Sequence, residues 1–180
     1  MILWIDGPYG VGKSTLAEEL VKLNKNSFIF DAESVGNAVR DNMPRELFNG
    51  YIFENYGLWF KTIEELLKEI VGRYNGDIYV PMTLTKKDSF DKIAIPLKNS
   101  GVEVTHLLLE ADYENVKNRI LARGEEENCW CMQNIALCLE IQKTFLDVIR
   151  LNTINQSPYN LAKVVYDNVL KKKNYNKTVI

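Results

Sequence analysis

Apolar residues fall along this chain in two alternating rhythms. Ile2-Leu3-Trp4-Ile5 is a continuous apolar run of strand length, and Leu16, Leu20 and Leu23 follow at helical spacing with Ala17 and Val21. Ser27 to Phe30 reads as a second strand ending at Asp31, and residues 33–42 as a short helix ahead of Pro44. Leu58, Trp59, Ile63, Leu66, Leu67 and Ile70 mark a long amphipathic helix from about Glu54 to Tyr74. Ile78 to Val80 is a third strand that Pro81 ends, and a helix from about Lys86 to Lys98 stops at Ser100-Gly101. Val102 to Leu109 is a fourth strand, after which Asp112 caps a helix running through Arg123. Gly124 and three glutamates interrupt the pattern before a helix from about Trp130 to Leu146, a fifth strand at Val148 to Leu151 and a last helix opened by Ser157-Pro158. Strands alternating with helices predict a three-layer α/β fold, a five-stranded parallel sheet with helices on both faces. With 180 residues, one domain over 1–180 is expected, its lid at about 120–135.

Composition narrows the function classes. The net charge is −2, which gives no bulk attraction for nucleic acid or anionic lipid, so a bound anion needs a local site. The first residues lack a basic region ahead of their short apolar run, and no apolar stretch reaches membrane-spanning length. Cys129, Cys131 and Cys138 cannot all pair, which favours reduced thiols and a cytoplasmic protein, a monomer or homodimer. A C-x-C with one distant cysteine and one histidine, His106, is a poor zinc set. His106 is expected to be an ordinary strand residue, and Lys171-Lys172-Lys173 a solvated end.

The chemistry-bearing signal is Gly7-Pro8-Tyr9-Gly10-Val11-Gly12-Lys13-Ser14, which fits G-x-x-x-x-G-K-[ST] between a strand and a helix. Such a loop points successive N–H groups at phosphate oxygens, and the helix opening at Lys13 adds its dipole. Nucleotide contacts are expected from Gly7, Tyr9, Gly10, Val11, Gly12, Lys13, Ser14 and Thr15, with Ser14 on Mg²⁺. Thr85-Lys86-Lys87-Asp88 fits the guanine-reading T-K-x-D, but no D-x-x-G lies between it and the loop, so coincidence is expected. A rotary or AAA-type motor would be longer and carry a strand ending in Asp-Glu; here the third strand runs into Pro81-Met82-Thr83.

Ligands in open α/β sheets lie off the carboxyl ends of strands, which places Asp31 and Glu33 opposite the phosphates. Asp31 is the candidate base or anchor of metal-bound water, and capping of the next helix is the competing use. Arg119 and Arg123 share a helix face, one suited to the nucleotide base and the other to phosphate oxygens during transfer; pairing with Glu114 or with Glu125 to Glu127 is the competing use. Glu125-Glu126-Glu127, where a lid would carry arginines, favours an uncharged hydroxyl acceptor over a phosphorylated one. Helical spacing makes much of the group Tyr51, Phe53, Tyr56, Trp59 and Phe60 core, yet it lies between the second and third strands, where small kinases place the acceptor helices, with Arg40 and Arg45 to orient an acceptor.

Together these residues resemble the tunicamycin-resistance protein family, within the P-loop kinase group that includes shikimate, gluconate and adenylate kinases. The matching segments are Met1 to Ile5 into Gly7 to Ser14, Phe30-Asp31-Ala32-Glu33 with Gly36 and Arg40, Pro44, Leu58-Trp59, Val80-Pro81-Met82-Thr83, Arg119 with Arg123, and Trp130. The resemblance implies ATP binding and protection against tunicamycin, a lipid-tailed nucleoside. It puts Asp31, Glu33, Arg40, Trp59 and Thr83 at the acceptor. The resemblance also implies an extension past the last helix toward a membrane contact, which is doubtful for this chain because it stops soon after Lys173. Phosphorylation of a small-molecule hydroxyl with Mg·ATP is the expected activity. A metabolic nucleoside or nucleotide kinase and an ATP-gated drug-binding module are the alternatives.

Overall fold

The computed structural model describes residues 1–171. Five strands, β1 (Ile2–Asp6), β2 (Ser27–Ile29), β3 (Asp77–Pro81), β4 (Val104–Glu110) and β5 (Ile149–Asn152), form one sheet in the order β2-β3-β1-β4-β5. Every pairing is parallel, and Trp4 of β1 stands between Val80 and His106. Central β1 is buried along its whole length, which explains its lack of polar alternation.

Alternate residues of β1 serve two cores. Ile2 and Trp4 pack with α3 (Gly57–Arg73) and α4 (Ser89–Asn99); Leu3 and Ile5 pack with α1 (Lys13–Leu23), α5 (Tyr113–Ala122) and α7 (Pro158–Val165). The predicted three-layer fold with helices on both faces is the fold observed. α2 (Ala32–Asp41) follows β2, and α6 (Trp130–Gln142) follows the glutamate segment.

Element ends moved where long-range partners took over. α3 begins at Gly57 because Glu54 turns inward and residues Phe53–Asn55 form a 3-10 turn. α4 begins at Ser89 because Glu54 holds the Lys86 amide. α6 stops at Gln142, short of Leu146, where Arg150 takes the carbonyls of Gln142 and Phe145 at 3.1 and 2.7 Å. α7 ends in a π-helical turn, Tyr166–Leu170, that the periodicity did not announce. Lys172 and Lys173, expected to be a solvated end, lie outside the described residues.

Trp59 is the anchor of the α2–α3 face. It is fully buried, its ring lies 4.9 Å from that of Phe60, and its indole N–H donates to the Ala32 carbonyl at 3.0 Å. The expectation that Trp59 contacts an acceptor is therefore corrected: on the inward face of α3 it is core, and it fixes where α2 begins. Trp59→Ala is expected to cost about 3–5 kcal/mol, read by denaturant unfolding; a loss below about 1 kcal/mol would contradict this role.

Candidate active site

The loop after β1 is built from buried parts. Gly7 has a φ of 146°, and a Cβ there would meet the Leu109 carbonyl of β4 at 2.8 Å. Gly12, at φ 106°, opens α1 with no side chain capping its first turn. The first N–H groups of α1 thus face outward beside the exposed Ser14 and Thr15. Lys13 is buried; its ammonium donates to the Gly7 and Pro8 carbonyls at 3.1 and 3.0 Å and lies 5.6 Å from the Tyr9 ring centre. Burial pushes the Lys13 pKa down, opposed by the carboxylates of Asp6 and Glu33. A buried ammonium held only by neutral carbonyls gains strongly from an anion. These features fit a bound polyphosphate.

Asp6 supports the loop from beneath, a role that sequence reading missed. It is fully buried; its Oδ1 accepts the amides of Gly7 (2.7 Å) and Leu84 (3.0 Å), and Oδ2 meets His106 Nε2 at 3.1 Å. His106 stacks on Phe90, centroids 4.0 Å apart, so it is the strand residue expected, with an added hydrogen bond. The available signal was a lone acid closing a fully apolar strand.

A cavity of about 440 Å³ opens over this loop, walled by Lys13, Ser14, Thr15, Asp31, Arg123 and Glu125 among others. Asp31 does cap α2: its Oδ1 accepts the Glu33 and Ser34 amides at 3.0 Å, and Oδ2 accepts the Ser34 hydroxyl. Burial alone would raise its pKa, but these hydrogen bonds outweigh it and hold the carboxyl below its ordinary range. Asp31 is thus ionised on the same cavity wall as Ser14, a donor pair suited to a hard divalent cation. Arg123 pairs with Glu125 at 2.7 Å, which gives the first of the three lid glutamates a partner.

Arg119 is elsewhere. Its guanidinium donates to the Val11 carbonyl (3.1 Å), the Thr153 hydroxyl (2.8 Å) and the Thr153 carbonyl (2.9 Å), and it forms no part of either cavity wall described here. Arg119, expected at the nucleotide, serves here as a brace between the loop and the segment after β5.

A second cavity, about 460 Å³, adjoins the first. Tyr9, Tyr51, Phe53 and Trp130 supply its rings, and Met82, Thr83 and Thr85 line it too. Tyr9 and Trp130 meet edge to face at 4.9 Å, bringing the start of α6 onto the phosphate loop. Thr83 is committed: its hydroxyl donates to the Gly7 carbonyl at 2.9 Å. Glu54, also missed in the sequence, accepts the amides of Thr85 and Lys86 and the Thr85 hydroxyl. The T-K-x-D stretch is therefore occupied in an internal clamp. Arg40 does not enter this cavity. It donates to Asn37 at 2.6 Å, sits 5.6 and 5.4 Å from the Tyr51 and Phe53 ring centres, and lines a separate cavity with Arg45. The predicted substrate contact from Arg40 is corrected to support of the aromatic wall.

Three residues, Tyr9, Glu33 and Cys131, border both cavities. Glu33 is an exposed residue, yet partial burial of its carboxyl raises the pKa, with Lys13 opposing. Burial pushes the Cys131 thiol up to about 11 and that of Cys138 to about 12, so both stay protonated at neutral pH. Among the described residues no cluster of three His, Cys, Asp or Glu side chains is arranged to hold a metal ion.

Residues 2–130 match the family described as AAA domain. The chain belongs to that family. In three dimensions this AAA domain is similar to the tunicamycin resistance protein of Deinococcus radiodurans, with a TM-score of 0.76 at 24% identity over 93% of this chain and 94% of that one. It is also similar to a sugar kinase from Janibacter sp. (0.66, 18%, 92% of both chains) and to the shikimate kinase of Acinetobacter baumannii (0.57, 16%, 96% and 94%). At these identities the likeness is one of fold, that of the P-loop kinases. The match establishes the P-loop domain; the Asp-Glu ending sought for a motor is absent from β3, which closes at Pro81. No curated protein matches the sequence. No helix of the described residues is long and apolar enough to cross a membrane.

Proposed function

We propose that this AAA domain is a phosphotransferase that uses Mg·ATP to phosphorylate a hydroxyl on a small molecule that carries no phosphate of its own. One observation carries the reading: the phosphate-loop cavity and the aromatic cavity share a wall, and Glu33 stands in it. A donor in one and an acceptor in the other would meet at a carboxylate.

Mg·ATP supplies the transferable phosphoryl group and the charge that screens it. Lys13 and the first turn of α1 would hold the phosphates; Ser14 and the ionised Asp31 would hold the metal. Glu33, its carboxyl raised, accepts the acceptor's hydroxyl proton, because a base works best with a pKa nearer the operating pH. The base is thus Glu33, and Asp31 keeps the metal role. Arg123 exchanges Glu125 for phosphoryl oxygens as charge develops. Trp130 and Tyr9 close over the acceptor and exclude water.

Tunicamycin, the nucleoside antibiotic in the name of one structural neighbour, is compatible in kind with an aromatic cavity. A screen of hydroxylic compounds, nucleosides and tunicamycin included, for ADP release is the direct test. ADP formed in step with a phosphorylated product is expected. A ligand that shifts Trp130 fluorescence with no ADP would replace this reading with ATP-gated sequestration.

A further inference from the structure

The second cavity carries information on the charge of what it takes. Its walls hold four aromatic rings and the carboxylates of Glu33 and Glu54, and no Lys, Arg or His. The nearby cations are engaged elsewhere. The Lys86 ammonium donates to the Glu54 carbonyl and Asn55 Oδ1 at 3.1 and 2.8 Å, and Arg40 lines a different cavity. Lys13 is turned to the phosphate loop. Glu54 spends its oxygens on Thr85 and Lys86, which leaves Glu33 as the carboxylate open to a ligand. An anionic acceptor would meet two carboxylates and no cation in the lining, since Lys13 and Arg40 stand over the Tyr9, Tyr51 and Phe53 rings at 5.4–5.6 Å without lining the cavity. A cation would meet Glu33 and the Trp130 ring, both attractive, beside the three rings that already carry Lys13 or Arg40. Polyphosphate in the adjoining cavity adds further negative potential.

We infer that the aromatic cavity selects an acceptor bearing a protonated or quaternary amine, an amino alcohol in its simplest form. This rests on the aromatic cavity being the acceptor site. Tyr9, Tyr51, Phe53 and Trp130 would surround the cationic head, and Glu33 would serve both its charge and its hydroxyl.

The test uses three probes of one shape on the full chain: choline, the uncharged tert-butyl isostere neohexyl alcohol, and the anion tert-butylacetate. Trp130 is the reporter, since it is 41% exposed at the cavity while Trp4 and Trp59 are fully buried. Choline is expected to bind about tenfold or more tighter than the alcohol, and the carboxylate most weakly. Glu33→Gln should remove most of that advantage. Tyr51→Leu, at a site 68% exposed, should weaken choline and spare the alcohol. Equal or tighter binding of the alcohol or the carboxylate, or no response to any probe, overturns the inference. Because binding is read without turnover, a choline preference in a protein that phosphorylates nothing would overturn the kinase reading and keep this one.

Discussion

Lys13→Ala is expected to lower acceptor phosphorylation by at least about 10²–10³-fold, the scale of losing one preorganised charge at a transferring phosphoryl group. ATP affinity should fall with it, because in the proposed mechanism the ammonium meets the phosphates in ground state and transition state alike. Folding should survive: the ammonium is buried against two neutral carbonyls, so its removal relieves a desolvation cost that nothing fully repays. Nucleotide titration and thermal unfolding measured together check this. Wild-type ATP affinity in the variant would remove the phosphate site from this loop.

Glu33→Gln is the second large effect and separates chemistry from binding. The rate constant for transfer should fall about 10²–10⁴-fold, the range for a lost general base, while ATP affinity stays within about twofold. The pH profile gives the sign. Burial raises the Glu33 pKa, so the carboxyl gains its proton at a higher pH than an ordinary glutamate. Wild-type kcat should therefore drop as pH falls, with its acid limb above the usual carboxylate range, and the variant should lose that limb. Asp31→Asn provides the contrast. Asn is as good an N-cap as Asp, so stability should hold, but the proposed metal site would lose its anionic ligand and the Mg²⁺ requirement should rise. An unchanged acid limb in Glu33→Gln would return the base role to another group.

What the sequence made legible was local. The sheet and the phosphate loop follow from contiguous runs, Ile2 to Ile5 and Gly7 to Ser14, whose periodicity and glycines need no distant partner. Asp31 was also found, since a carboxylate after a strand both caps and faces the crevice. The supports were hidden because their partners are remote. Asp6 meets His106 across β1 and β4, and Glu54 reaches Thr85 from another element, pairings that only the topology creates. Trp59 and Tyr51 look alike as aromatic residues in one insertion, yet one is core and the other wall; which way each faces depends on where α3 starts, and Glu54 decides that. Arg119 and Arg123 share a helix face, but Thr153, from the segment after β5, draws Arg119 away from the cavity.

The central claim is that donor and acceptor occupy adjoining cavities with Glu33 between them. A crystal structure with a non-hydrolysable ATP analogue and a bound acceptor tests it most directly. The account predicts the phosphates on the loop at Gly12 to Thr15 and the acceptor among Tyr9, Tyr51, Phe53 and Trp130, its hydroxyl at Glu33 and facing the terminal phosphate. An acceptor seated away from those rings, or one whose hydroxyl is turned from Glu33 with the nucleotide in place, would contradict it.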